Sequence, residues 1–216
     1  WTPLYNGVST ISGSLKIDVP SDYSIRINAS EELIHKASEL DNRQILSWSS
    51  TMTRSDSWND IYSPPFDFPT VKIVPEEFKY GVIGKSDSWS SFGNWVDELN
   101  KGTDLLTLQE KRNVERLIDG INNRNEIIKT IYYYLQDQTK YINVAIDVGG
   151  LKSYPASYVC ENKYGDCKAL TTYMKAMLKS VGIESSYSII KSGEKNTEID
   201  LNLPSQQFDH VILMIP

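Results

Sequence analysis

Cysteine and histidine are scarce in this 216-residue chain: the cysteines are Cys160 and Cys167, the histidines His35 and His210. Any thiol chemistry assisted by an imidazole must be built from these side chains. Asp166 or Gly165 would cap the apolar helix that follows them, which puts Cys167 in its first turn. Unpaired N–H groups and the helix dipole favour an anion there, and the same N–H groups can stabilise an oxyanion in acyl transfer. A thiolate also needs a base. His210 opens the apolar run Val211 to Ile215, whereas His35 lies in a different part of the chain. The plain alternatives are that a free cysteine is commonly a small buried hydrophobe and that a histidine at a strand edge is commonly structural. The first-turn position argues for Cys167 as nucleophile with His210 as base, although sequence separation alone does not bring the two side chains together.

Other residues invite two readings each. Cys160 could pair with or resolve Cys167, or be an ordinary loop cysteine. Trp89, Trp95, Tyr154 and Tyr158 could line a groove, or be core aromatics at helical spacing. Tyr141 and the Asp147-Val148-Gly149-Gly150 turn read as architecture for the segment ahead of Cys167. Asp209 adjoins His210, but neighbours on a strand point to opposite faces, so it is a poor orienter of that imidazole.

The elements that must position Cys167 and His210 follow from periodicity. Residues 1–84 read as a β-rich domain, with alternation in Ser14 to Val19, again around Tyr23, Ile25 and Ile27, and a further strand at Val71, Ile73 and Val74 that Pro75 ends. The Ser/Thr-rich run from Trp48 to Ser63, closed by Pro64-Pro65, reads as turn-forming, and a partial sandwich is the expected arrangement. From Asp87 the period becomes helical: Trp89, Phe92, Trp95, Val96 and Leu99 form one stripe, and Val114, Leu117, Ile118 and Ile121 another. A third helix is predicted from Asn125 to Gln138, with Ile127, Ile128, Ile131, Tyr132 and Leu135 inward. The strongest stripe follows Cys167, through Leu170, Tyr173, Met174, Met177, Leu178 and Val181, with Gly182 as its cap. A strand over Glu184 to Lys191 and a polar loop then deliver the chain to His210.

Composition bounds the remaining possibilities. A formal charge of −6, with no run of three adjacent Lys or Arg, leaves no electrostatic footprint for nucleic acid. No apolar stretch approaches the roughly 18 residues of a transmembrane segment. Two cysteines make neither a disulfide scaffold nor a metal-ligand pattern, and no metal or organic cofactor is required. The chain begins at Trp1 without Met or a signal, as an excised fragment would.

The run Tyr164-Gly165-Asp166-Cys167-Lys168, its apolar helix and the Gly182-Ile183 exit resemble the transglutaminase-like superfamily, a papain-like thiol fold. The wider segments YINVAIDVGGLKSYPASYVCENKYGDCKAL and FDHVILMIP resemble bacterial envelope proteins in which an uncharacterised β-rich domain precedes that fold. The resemblance covers residues 85–216. It implies an α+β chain: a truncated β-sandwich-like N-terminal part over 1–84, then a transglutaminase-like (papain-like) α+β domain over 85–216. It also implies Cys167 and His210 as catalytic residues, and a periplasmic or secreted location. The family's acid, on a strand after the histidine, has no counterpart before Pro216, so the C-terminal strands are expected to be missing. Two functions follow from the resemblance. One is a cysteine hydrolase acting on peptide or amide bonds of a peptide or protein substrate, with hydrolysis preferred to amine transfer by analogy. The other is a catalytically inactive binding or scaffolding module of the bacterial cell envelope. The oligomeric state is not legible.

Overall fold

A computed structural model of the chain describes residues 1–3, 10–51, 69–143, 150–192 and 199–216. It divides into two compact units, Trp1–Phe92 with Asp200–Ser205, and Gly93–Ile199 with Gln206–Pro216.

The first unit is built from strands β1 (Gly13–Pro20), β2 (Ile25–Ala29), β3 (Ile34–Leu40), β4 (Arg43–Ser50), β5 (Val71–Pro75), β6 (Glu77–Tyr80) and β7 (Val82–Lys85). Antiparallel pairing orders one sheet β1-β4-β3, while β2 pairs with β5 and β6 with β7. Leu46 and Trp48 on β4, Leu33 and Val71 are buried in one cluster, against which Leu15, Ile17, Ile25 and Ile73 pack, so the three-stranded sheet and the β2–β5 ribbon share a core. The alternation read in β1 holds along its whole length, and Pro75 does end β5. Trp48, by contrast, lies inside β4 and not in a turn, 2% exposed, with the His35 ring stacked on it at 4.9 Å. The β3–β4 hairpin closes through Asp41 (φ 52) and Asn42 (φ 58), the left-handed pair that a two-residue type I′ turn requires. From residue 52 on, the Ser/Thr-rich run and Pro64-Pro65 lie outside the described residues.

The second unit is predominantly helical. Its elements are α1 (Trp89–Leu99, entered from the first unit), α2 (Leu108–Leu117), α3 (Arg124–Gln138), β8 (Lys140–Tyr141), α4 (Ala156–Asn162), β9 (Tyr164–Gly165), α5 (Cys167–Ser180), β10 (Ser186–Ile190) and β11 (His210–Met214). Each long helix starts where a side chain satisfies an orphan N–H: Thr107 accepts from Glu110 N, Asn123 from Asn125 N and Glu126 N, and Asp166 from Ala169 N. α5 ends in a Schellman motif, with Ile183 N donating to Leu178 O and Gly182 N to Lys179 O around Gly182 at φ +78.

α5 is the axis of this unit. Tyr173, Met177 and Leu178 are fully buried and pack with Val114, Ile131, Ala156 and Val159 from the three neighbouring helices. On α3 the inward tyrosine is Tyr134, while Tyr132 is 47% exposed: Tyr134 stands three residues from Ile131 and joins its face, correcting the expected stripe. Glu110 is only 3% exposed. It accepts hydrogen bonds from the Tyr173 hydroxyl, from Tyr134 Oη at 3.3 Å and from Asn113 Nδ2 at 3.1 Å. Burial pushes its carboxyl up, but the bonds from Tyr173, Asn113 and Cys160 and the charge of Lys163 outweigh this and hold it below its ordinary value.

Glu110→Gln keeps the shape and removes the charged acceptor, and is expected to destabilise the protein by about 1–3 kcal/mol near neutral pH. A carboxyl held low contributes stability that is present above its unfolded value of about 4.3 and lost as pH falls through its lower folded value. The gap between parent and variant should therefore narrow toward about pH 3.5. Urea unfolding at both pH values measures it, and a gap of the same size at each would contradict the charged-acceptor role.

Candidate active site

Cys167 is placed by what surrounds the first turn of α5. Gly165 belongs to a two-residue parallel pairing, Lys140↔Tyr164 and Tyr141↔Gly165, which Ile142 N extends by donating to Gly165 O at 3.0 Å. A Cβ on Gly165 would stand 2.8 Å from Ala169 Cβ and 3.4 Å from Val159 Cγ2, so only glycine lets α5 begin this close to β9. Asp166 is the N-cap, 1% exposed, its Oδ1 accepting from Ala169 N at 3.0 Å and its Oδ2 paired with Lys168 Nζ. Of the two caps the sequence allows, the aspartate is the one used. Cys167 follows in the first turn, half-buried.

His210 is the first residue of β11, in register with Ile190 of β10. Val211, 7% exposed, anchors β11 against α5. Two cavities are lined by both Cys167 and His210. The larger, about 640 Å³, continues between α3, α5 and β11 past Ile128, Leu135, Leu170, Met174 and Leu213, and is largely apolar. The smaller, about 190 Å³, adds Trp95, Lys168, Tyr187 and Asp209.

Two tyrosines flank the sulfur. Tyr141 lines the 640 Å³ cavity beside Cys167, its hydroxyl close enough to feel the charge of that residue. Burial, then the charge of Cys167, pushes this hydroxyl up overall. Tyr187 sits on β10 opposite Leu213. Burial pushes its hydroxyl up, followed by the charges of Cys167 and Asp166.

The remaining expectations resolve as follows. Cys160 is free, as is Cys167, and it lies on α4 and not in a loop. Its thiol meets Glu110, and burial first, then that carboxylate, pushes it up. Among the four aromatics named as groove candidates, Trp95 lines the 190 Å³ cavity. Tyr154 stacks on Tyr158 at 4.6 Å, both packing against the helical core, and Trp89 belongs to the first unit, donating to Leu201 O at 2.8 Å. Asp209 Oδ1 accepts from Ser192 N at 2.7 Å and Ser192 Oγ at 3.1 Å. His35 sits in the first unit. Of the turn ahead of Cys167, only Gly150 lies within the described residues. Among them no Cys, His, Asp and Glu cluster could hold a metal ion, and no helix is long and apolar enough to cross a membrane. Nothing in the sequence marks Tyr141 and Tyr187 as neighbours of the thiol. Their signal is pairing register, which composition does not carry.

A cysteine heading the central helix, sharing its cavities with a histidine that opens an antiparallel ribbon, defines a papain-like thiol fold. Residues 111–210 match the transglutaminase-like superfamily. No curated protein matches the chain. Among solved structures, a "putative protease" from Parabacteroides distasonis ATCC 8503 superposes with a TM-score of 0.67 at 15% identity, over 98% of this chain and 39% of that one. The chain thus spans about two fifths of that protein's length, and the likeness is one of fold. A "putative cysteine protease" from Cytophaga hutchinsonii gives a TM-score of 0.41 at 9% identity over 98% of this chain and 65% of its own.

Two substitutions test how Cys167 is positioned. Gly165→Ala is expected to lower stability by about 1–3 kcal/mol, since Ala169 and Val159 must move. Asp166→Ala is expected to cost about 1–2 kcal/mol for the lost cap and more for the stranded Lys168 ammonium, with Asp166→Asn recovering only the cap. Chemical unfolding reads all three, and parental stability in Gly165→Ala would refute the close-approach argument.

Proposed function

We propose that the transglutaminase-like domain is a cysteine hydrolase of peptide or amide bonds, in which the Cys167 thiolate attacks the carbonyl carbon and His210 moves the proton. The observation that carries this reading is that Cys167, in the first turn of a 14-residue buried helix, lines the same two cavities as His210. In the first step the S–C bond forms and the carbonyl π pair moves to oxygen. When the tetrahedral species collapses, the amine leaves with the proton that His210 took from the thiol, and water then hydrolyses the thioester. Helix-terminus dipoles stabilise the charge on sulfur before attack and on oxygen during it. The resemblance to bacterial envelope proteins supports a periplasmic or secreted setting with a peptide or protein substrate. The second reading is a scaffolding module with an unused thiol, which presents the largely apolar cavity beside Cys167 to a partner.

The two readings separate on thiol reactivity. Alkylation by iodoacetamide is followed against pH with the labelled peptide assigned by mass spectrometry, so that Cys160 is counted separately. A hydrolase is expected to show a Cys167 rate already high near neutral pH, falling roughly tenfold or more in His210→Ala, because the base that supports the thiolate is gone. An ordinary-thiol profile, unchanged by removing the imidazole, would exclude the enzymatic reading in favour of the scaffold.

A further inference from the structure

We infer that Tyr187 is a substrate-positioning residue, whose hydroxyl donates a hydrogen bond to the carbonyl oxygen of the amide held at Cys167. This rests on the hydrolase reading above and extends it to a residue on β10.

Two observations lead there. Tyr187 lines the 190 Å³ cavity together with Cys167, Lys168 and His210, so its ring stands beside the reacting pair. Its Oη is buried without a hydrogen-bond partner among the described residues, whereas Tyr134, Tyr158, Tyr164 and Tyr173 of the same unit all have hydroxyl partners. A buried hydroxyl with nothing to bond costs roughly 1–3 kcal/mol, a cost that an acceptor arriving in the cavity removes.

Other groups around the cavity narrow the ligand. Lys168 is tied to Asp166, and Asp209 also lines the space. A cation paired with one carboxylate and facing another gives no net attraction for an anion, so a neutral carbonyl is the fitting acceptor. The phenol stays protonated across the working pH range, since burial and the charges of Cys167 and Asp166 all push it up.

The test uses the 216-residue chain and two probes. Acetyl-Leu-Leu-leucinal adds to the Cys167 thiol: an S–C bond forms, the aldehyde π pair moves to oxygen, and that oxygen takes the thiol's proton, giving a hemithioacetal. Methyl methanethiosulfonate transfers a methylthio group to sulfur with methanesulfinate leaving, and it has no carbonyl. Tyr187→Phe is expected to weaken the reversible aldehyde adduct about five- to tenfold, the worth of one such hydrogen bond. The methanethiosulfonate rate should stay within about twofold, and Tm should not fall, because an unbonded hydroxyl contributes nothing to the fold. A change in aldehyde affinity below about twofold, a parallel fall in both probes, or a lowered Tm overturns the assignment. An aldehyde that forms no adduct with the parent chain, while methanethiosulfonate still labels Cys167, overturns the hydrolase reading itself and this inference with it.

Discussion

The second unit depends on a buried carboxylate at the head of its central helix. Asp166 is 1% exposed, and a charge at that depth is tolerable only if it is both paired and hydrogen-bonded. It achieves this by splitting its oxygens: one caps α5 through Ala169 N, the other takes the Lys168 ammonium. Both partners belong to the first turn, so satisfying the charge fixes that turn's geometry. Cys167 lies between the cap and its two partners. Its sulfur is aimed by neighbours that have their own electrostatic reason to stay in place.

Gly165 makes the arrangement possible from the other side. Because it lacks a Cβ, the Tyr141↔Gly165 pairing and the start of α5 occupy nearly the same space. That sets Tyr141 and Cys167 in the wall of one cavity. Farther along α5, Glu110 joins Tyr173 to Tyr134 of α3 and Asn113 of α2, and the Schellman turn at Gly182 closes the far end. The helix is thus held at its head, middle and tail. Such support fixes where the first-turn thiol opens into the cavities it shares with His210.

The parts legible in the sequence are those governed by local rules. α1, α2, α3 and α5 show themselves through 3.6-residue stripes, and α5 also through its cap at Asp166, because burial of one face and satisfaction of the first N–H groups are decided within a few residues. The β3–β4 hairpin escapes such reading because β3 is exposed along its whole length and has no alternation to display. α4, seven residues long and preceded by Pro155 without a side-chain cap bond, is too short to show a period. For the same reason Cys167 and His210 could be nominated, whereas Tyr141 and Tyr187 could not. A two-residue parallel pairing and a ribbon register bring them to the thiol, and neither leaves a periodic trace.

The two cysteines illustrate how far identical chemistry can diverge over seven positions of chain. Cys160 emerges from α4 into the Glu110 network, where a desolvated site and an adjacent carboxylate both oppose a second negative charge and push its thiol up. Cys167 instead heads a long helix, opens into two cavities and has a phenol and an imidazole nearby. Composition counts these residues as equals. What separates them is a glutamate about fifty positions upstream of one and an antiparallel strand some forty positions downstream of the other. The same fold that opens one sulfur into two cavities therefore buries the other beside a carboxylate, and the proposed nucleophile is the one that faces open space.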